Sequence, residues 1–386
     1  MTTLRGVTVI EVGGFLAAPW ATMHLADLGA RVIKIERAGD GDAVRDAPPL
    51  VDGHSAAFAS INRNKESVEL DLETDTGRAL FLELVAGADV LVENLRPGAM
   101  GRLGLGYDDL AGVAPRLIYA SASGWGQDGP DAHLPGLDIM AQARSGLMSR
   151  TGDPDGPPAK VGVPVCDLVC ALYVALAVTA ALHERERTGT GQHIDVSLLE
   201  AAISLAVWEW PRHVTGADPG TRSGTAHQSL APYQVFDTRD GHVAIGAVTR
   251  LTWHALCEAL GLSDLLQDRR LSDAGLRFQH REEVVERLQS VTLGYSAAEL
   301  VALLGDAGVP CARLADMAQA FEDPQLVARD FYWDAAHPRL GSVPQMGSPM
   351  RFSRTPTVRS HAGPMLGEHT TAVLRELAPD EGKHHG

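Results

Sequence analysis

The chain lacks most of the short signatures that settle a protein's chemistry at once. It has no G-x-S-x-G elbow, no H-E-x-x-H helix and no P-loop, which removes the common serine-hydrolase, zinc-peptidase and triphosphatase patterns. Cysteine is scarce: Cys166, Cys170, Cys257 and Cys311 are the four present. The close pair is spaced C-x-x-x-C, neither a zinc-finger pattern nor a disulfide framework, so free thiols in a reducing cytoplasm are expected and a metal is not. Positive charge is in deficit, with 33 basic against 49 acidic residues, a net charge of −16 and a pI near 5.3. Such a field repels nucleic acid and anionic membrane, and an anionic ligand then needs a local basic pocket. No uninterrupted apolar run reaches the ~20 residues that a bilayer requires. The opening MTTLRGVTVIEV leads into a strand without signal-peptide design, so a cytoplasmic protein with no nucleic-acid or membrane partner is expected.

What is present reads as an ordinary globular protein of two or three domains, 45% hydrophobic and 21% charged over 386 residues. Val7 to Val12 is an apolar run ending at Gly13-Gly14, followed by an amphipathic segment over 18–28, Gly29, and a second run from Arg31 to Ile35. That pattern predicts strand, glycine turn, helix, strand, the opening of a parallel α/β unit. Glu36 falls where a dinucleotide-binding fold places its ribose acid, yet GGFLAAPW lacks the G-x-G-x-x-G fingerprint of a nicotinamide site. Further strands are predicted over 67–72, 88–93, 115–123 and 193–198, and helices over 74–86, 134–146 and 199–210. Their alternation predicts a doubly wound sheet whose ligands sit at the carboxyl ends of strands, where Arg37, Asn94, Arg96 and the loop 124–130 fall. A glycine-rich linker over 211–228 leads to a smaller domain over 229–329, with a hairpin and three helices. Residues 1–210 and 330–386 form the large domain, its last part loop-rich and ending in a helix over 370–377.

The stretch KVGVPVCDLVCALYVALAVTAALHERERTGTGQHIDVSLLE, residues 160–200, carries the most apolar helix. From Leu168 to Leu182 only Thr179 and a tyrosine hydroxyl are polar, so burial on every side is expected. Asp167 stands at or beside its N-cap, where orphan amides and the helix dipole stabilise a carboxylate. A cap is the ordinary role for such a residue; a nucleophile is the alternative if one oxygen faces a cleft. Position alone leaves both open.

Seven phrases, LADLGARVIKIERAGDGDAVR (25–45), NRNKESVELDLET (62–74), ADVLVENLRPGAMGRLGLGYDDL (88–110), PRLIYASASGWGQDGP (115–130), GLDIMAQARSGLM (136–148), the stretch 163–202 and PMLGEHTTAVL (364–374), occur in order. Together they resemble the class III CoA-transferases, a family that includes formyl-CoA and carnitine CoA-transferases and the α-methylacyl-CoA racemases. The resemblance implies an α/β fold with a Rossmann-like large domain, a smaller α+β domain, and two chains interlocked as intertwined rings. The implied assembly is a homodimer, with a heteromer containing a related chain as the alternative. Coenzyme A and acyl-CoA are implied as substrates, together with a small carboxylic acid, and no permanently bound cofactor.

By position Asp167 matches the family's catalytic aspartate. The implied reaction runs through an aspartyl mixed anhydride and an aspartyl-CoA thioester; thioester exchange is nearly thermoneutral, so neither ATP nor metal is required. Carried over residue by residue, Arg37 would grip the adenine nucleotide, with Leu16, Ala17, Leu70 and Leu72 lining its slot. Asn94, Leu95, Arg96 and Arg102 would hold the pyrophosphate and ribose phosphate, and Gly136 and Leu137 would lie along the pantetheine arm. The racemases carry a histidine immediately before the aspartate that matches Asp138; here that place is Leu137, which cannot move a proton. A CoA-transferase is therefore expected, with a racemase or a non-catalytic CoA-binding subunit as alternatives. The loop GAVTRLTW also lacks the glycine run of formyl-CoA transferase, which argues against assuming oxalate as the acceptor.

Overall fold

The computed structural model describes residues 2–218 and 220–377. Among them the chain divides into two compact units. The first comprises residues up to Leu147, Lys160–Trp208 and the segment from Gln325 onward; the second comprises Met148–Ala159 and Glu209–Pro324. Residues 378–386 of the expected large domain lie outside the described residues.

The first unit is built on six strands: β1 (Thr8–Val12), β2 (Arg31–Glu36), β3 (Lys65–Glu69), β4 (Val90–Glu93), β5 (Ile118–Ser123) and β6 (His193–Ser197). All pair in parallel in the order β3-β2-β1-β4-β5-β6, the strand order of the doubly wound Rossmann sheet. Alternate residues bury on opposite faces. Val9, Val32, Val90 and Ile118 join one core with helices α1 (Ala17–Asp27) and α4 (Val165–Thr188), while Ile10, Ile33, Leu91 and Tyr119 join another with α2 (Asp75–Ala86). Burial on both faces explains why the strands read as nearly continuous apolar runs. The helix α3 (Asp138–Arg144) lies between β5 and α4 in the chain.

Strand β3 starts and ends earlier than the alternation over 67–72 suggests, because it pairs with β2 from Val32 to Glu36 and stops where β2 stops. The expected helix over 199–210 ends at Ile203, and a separate helix, Glu209–Val214, belongs to the second unit. The proline-rich tail contains a hairpin, Tyr332–His337 with Gly341–Met346. Pro338 lies in its turn, and Pro344 lies on Gly341–Met346, a strand with a single strand partner, the edge setting that tolerates a missing amide donor.

Helix α4 departs most from expectation. It is 24 residues long, and by length and composition it could cross a membrane, but one face packs on the sheet through Cys166, Cys170, Ala171, Val174, Val178 and Ala181. Its other face is open in this chain, with Leu172 at 49%, Tyr173 at 41% and Leu176 at 64% exposure. All-round burial is thus not achieved within one copy.

The second unit pairs Tyr233–Asp237, His242–Gly246 and Cys311–Arg313 as an antiparallel sheet packed on three helices, Arg250–Ala259, Arg281–Thr292 and Ala297–Asp306. Residues 148–159 join it because Arg150 donates to the Thr221 carbonyl and Arg222 to the carbonyls of Asp153 and Gly156. All four cysteines are free thiols.

A cluster of charges is buried across the neighbouring strands β1, β2 and β3 and the loop after β2. Lys34 and Lys65 each place Nζ 2.7 Å from a Glu11 oxygen, and Lys34 also reaches Asp42 at 2.9 Å. Burial raises the pKa of Glu11, but the two ammonium groups outweigh it and hold the carboxyl near 2. Glu11→Ala would leave two cations facing a single acid in a dry core. Its expected cost is about 3–5 kcal/mol of folding stability, read by urea unfolding; a loss below ~1 kcal/mol would show the cluster to be hydrated.

Candidate active site

A cavity of about 1090 Å³ follows the carboxyl edge of the parallel sheet. Val12 and Gly13, Arg37, Leu70, Asn94, Ser123 and Leu198 show that all six strand ends contribute to its wall. It spans the switch point between β1 and β4, where strand order reverses and the connecting segments splay apart. Leu16, Ala17, Arg37, Leu70, Leu72, Asn94, Leu95, Arg96, Gly136, Leu137 and Asp167 all line it. Arg102 lies outside the lining, exposed at the end of the short helix Ala99–Arg102.

The wall at the end of β1 is held rigidly. Gly14 exchanges two hydrogen bonds with the Asn94 side chain, donating to Oδ1 at 3.1 Å and accepting from Nδ2 at 2.9 Å. Asn94 is therefore engaged in bracing the loop. The Phe15 amide donates to Asp42, and Phe15 itself adopts a left-handed φ of 58° with its ring 65% exposed. Gly13 allows this packing, since a Cβ there would lie 1.9 Å from Asn94 Oδ1. The next element, α1, has Leu16 as its N-cap with no side-chain cap, and both Leu16 and Ala17 line the cavity.

Two of the acids on the cavity wall, Glu36 and Asp42, are matched by Arg45 and Lys34. Glu36 receives Arg45 Nη2 at 2.6 Å, Ser67 Oγ at 2.6 Å and the Asp42 amide at 3.0 Å, so it is not available as a ribose acid. Arg37 and Arg96 are exposed, and the carboxylate nearest Arg37, Asp40, is 3.9 Å away.

At the other end lies the start of α4. Asp167 is the third residue of the helix, and its N-cap is Pro164. The capping role falls to Asp138: its Oδ1 accepts the Cys166 amide at 2.8 Å, and its Oδ2 accepts Gln142 Nε2 at 2.7 Å. Gln142, fully buried, accepts the Val161 amide at 2.8 Å. No side-chain hydrogen bond reaches the Asp167 carboxylate among the described residues. Burial, and then the nearby Asp138 charge, push its pKa up to about 6. The loops that bring this end together cross at Gly124 and Gly136, where a Cβ on either would come within 2.7 Å of the other's Cα.

The profile of CoA-transferase family III matches residues 4–370. The chain belongs to that family. It is 38% identical to succinyl-CoA:glutarate CoA-transferase of Mus musculus, over 99% of this chain and 88% of the relative. It is 39% identical to acetyl-CoA:oxalate CoA-transferase of Acetobacter aceti, over 98% of this chain and 96% of the relative. The crystal structure of a CAIB/BAIF family protein from Brucella suis superposes with a TM-score of 0.86 at 36% identity, covering 98% of this chain and 100% of that one. As a class III CoA-transferase the protein is an enzyme that uses CoA thioesters as substrates.

Two residues on the cavity wall were not singled out by sequence patterns. Asp42 sits in an irregular GDGD segment with no periodic signal, and Lys160 precedes the apolar helix as an unremarkable loop residue. Asp138 is legible in the sequence through its match to the aspartate that follows the racemase histidine, and its role as the cap of α4 is not legible there. Asp138→Asn keeps an oxygen for the Cys166 amide and removes the like charge beside Asp167. Carbon-13 NMR of aspartate carboxyls is expected to show Asp167 titrating near pH 6 and moving to lower pH in this variant. An unmoved midpoint would assign the shift to burial alone.

Proposed function

We propose that this enzyme moves CoA from an acyl-CoA to a dicarboxylic acid with Asp167 as nucleophile. The observation that carries the reading is an unbonded carboxylate on the wall of the cavity that also takes in Arg37 and Arg96. With its pKa near 6, Asp167 is mostly ionised at neutral pH while remaining more basic than an ordinary aspartate. The names of the two relatives, which act on glutarate and oxalate, favour a diacid.

In the proposed sequence an Asp167 oxygen attacks the thioester carbonyl, forming a mixed anhydride and releasing CoA thiolate. The thiolate attacks the aspartyl carbonyl, giving the aspartyl-CoA thioester and freeing the donor acid. The acceptor carboxylate attacks that thioester, and the thiolate expelled then takes the acceptor's acyl carbon, restoring Asp167. The apolar walls and the close Gly124–Gly136 crossing serve to limit water, which would hydrolyse either intermediate. Arg37 and Arg96 hold the nucleotide phosphates. Leu137 lines the cavity immediately before Asp138 and offers no proton, which favours transfer over racemisation.

Trapping tests this directly. With acyl-CoA and hydroxylamine, the peptide containing position 167 is expected to carry a hydroxamate by mass spectrometry. Asp167→Ala is expected to lose at least about 10³-fold in kcat. Transfer that persists in that variant removes Asp167 from the mechanism.

The open face of α4, with Leu172, Tyr173 and Leu176, supports a homodimer in which a second copy covers it. Leu176→Asp is expected to shift sedimentation toward the monomer, and an unchanged sedimentation coefficient would place the interface elsewhere.

A further inference from the structure

The chain uses arginine for nearly all its positive charge: of 33 basic residues four are lysines, at 34, 65, 160 and 383. Lys34 and Lys65 are locked in the buried cluster around Glu11, and residue 383 lies outside the described residues. Lys160 differs from both. It lines the cavity that contains Asp167, and its Nζ donates to the Val161 carbonyl at 3.2 Å, with no carboxylate partner among the described residues.

The backbone at this point is tied to the nucleophile's helix. The Val161 amide donates to Gln142, Gln142 donates to Asp138, and Asp138 accepts from the first turn of α4. The root of Lys160 is thereby fixed relative to Asp167 while its flexible stem remains free to swing. Among the described residues the Lys160 ammonium forms no ion pair with Asp167, its hydrogen bond going to the Val161 carbonyl.

A diacid presents two carboxylates with different fates. The reacting one loses its charge in the anhydride and again in the thioester. The distal one keeps its charge in donor, intermediates and product, and it has to enter an end of the cavity that already holds Asp138 and Asp167. A cation clear of the nucleophile fits the second carboxylate throughout the cycle. We propose that Lys160 binds the distal carboxylate of a dicarboxylic acyl group while the other end reacts at Asp167, an inference that rests on the transfer function proposed above. A compact ammonium on a four-carbon stem adapts to diacids of different length better than a rigid guanidinium fork.

The experiment holds one acyl-CoA donor fixed and measures kcat/KM for glutarate relative to butyrate in the wild type, Lys160→Met and Lys160→Arg. The glutarate preference is expected to fall about 10- to 100-fold in Lys160→Met, chiefly through KM for glutarate. Lys160→Arg is expected to restore most of it. Because the donor is common, any effect on its binding cancels in the ratio. A preference in Lys160→Met within twofold of the wild type overturns the assignment, as does a wild type that exchanges CoA without favouring the diacid. A wild type that exchanges CoA with no acid at all overturns the transfer reading itself, so the two failures are distinguishable.

Discussion

The hydrogen bond from the Cys166 amide to Asp138 is the contact on which the candidate site depends. A helix of 24 residues leaves first-turn amides without internal partners, and an acid in that turn ordinarily fills one of them. Here the acid comes from another segment, held in place by the buried Gln142. The helix end is satisfied from outside, so Asp167 keeps both oxygens free on the cavity wall. The same acid raises the Asp167 pKa, so a single side chain both frees the carboxylate and tunes it.

An acidic protein faces an electrostatic difficulty in receiving a polyanionic ligand, and the fold meets it locally. Glu36 and Asp42, both on the cavity wall, are matched by Arg45 and Lys34. Lys34 also donates to the Gly13 carbonyl at 2.9 Å, so the neutralising cluster doubles as a brace for the turn after β1. The strand ends also carry two exposed cations, Arg37 and Arg96. The net charge of −16 therefore describes the outer field and says little about the groove.

Helix α4 joins the site to the question of assembly. Its buried face anchors the sheet core, its first turn carries Asp167, and its opposite face presents large apolar side chains that this chain leaves uncovered. Monomeric proteins rarely leave such a stripe on their main core helix. The apolar composition all around the helix serves two different partners, the sheet on one side and solvent or a second copy on the other.

Local pattern made much of the architecture legible. The periodicities of Val7–Val12, 18–28 and Arg31–Ile35 reflect short-range sterics and burial, and these elements form within a residue or two of where they are expected. The hairpin after 331 was hidden because prolines usually exclude strands, and only the pairing shows that Pro344 sits where no amide is required. The helix over 199–210 was overextended because an apolar run continues past the point where the chain enters the second unit.

The sequence by itself determined the alternation of strand and helix, the carboxyl-end placement of Arg37, Asn94 and Arg96, and, through ordered phrases, the family. Each of these depends on neighbours within a few residues or on motif order. Only the tertiary structure decided that Asn94 braces Gly14, that Glu36 is already occupied and that Asp138 caps the helix of Asp167. The Asn94 and Asp138 outcomes depend on contacts between residues 80 and 28 positions apart, and that of Glu36 on Arg45, Ser67 and the Asp42 amide converging on one carboxylate; no local pattern encodes which competitor wins.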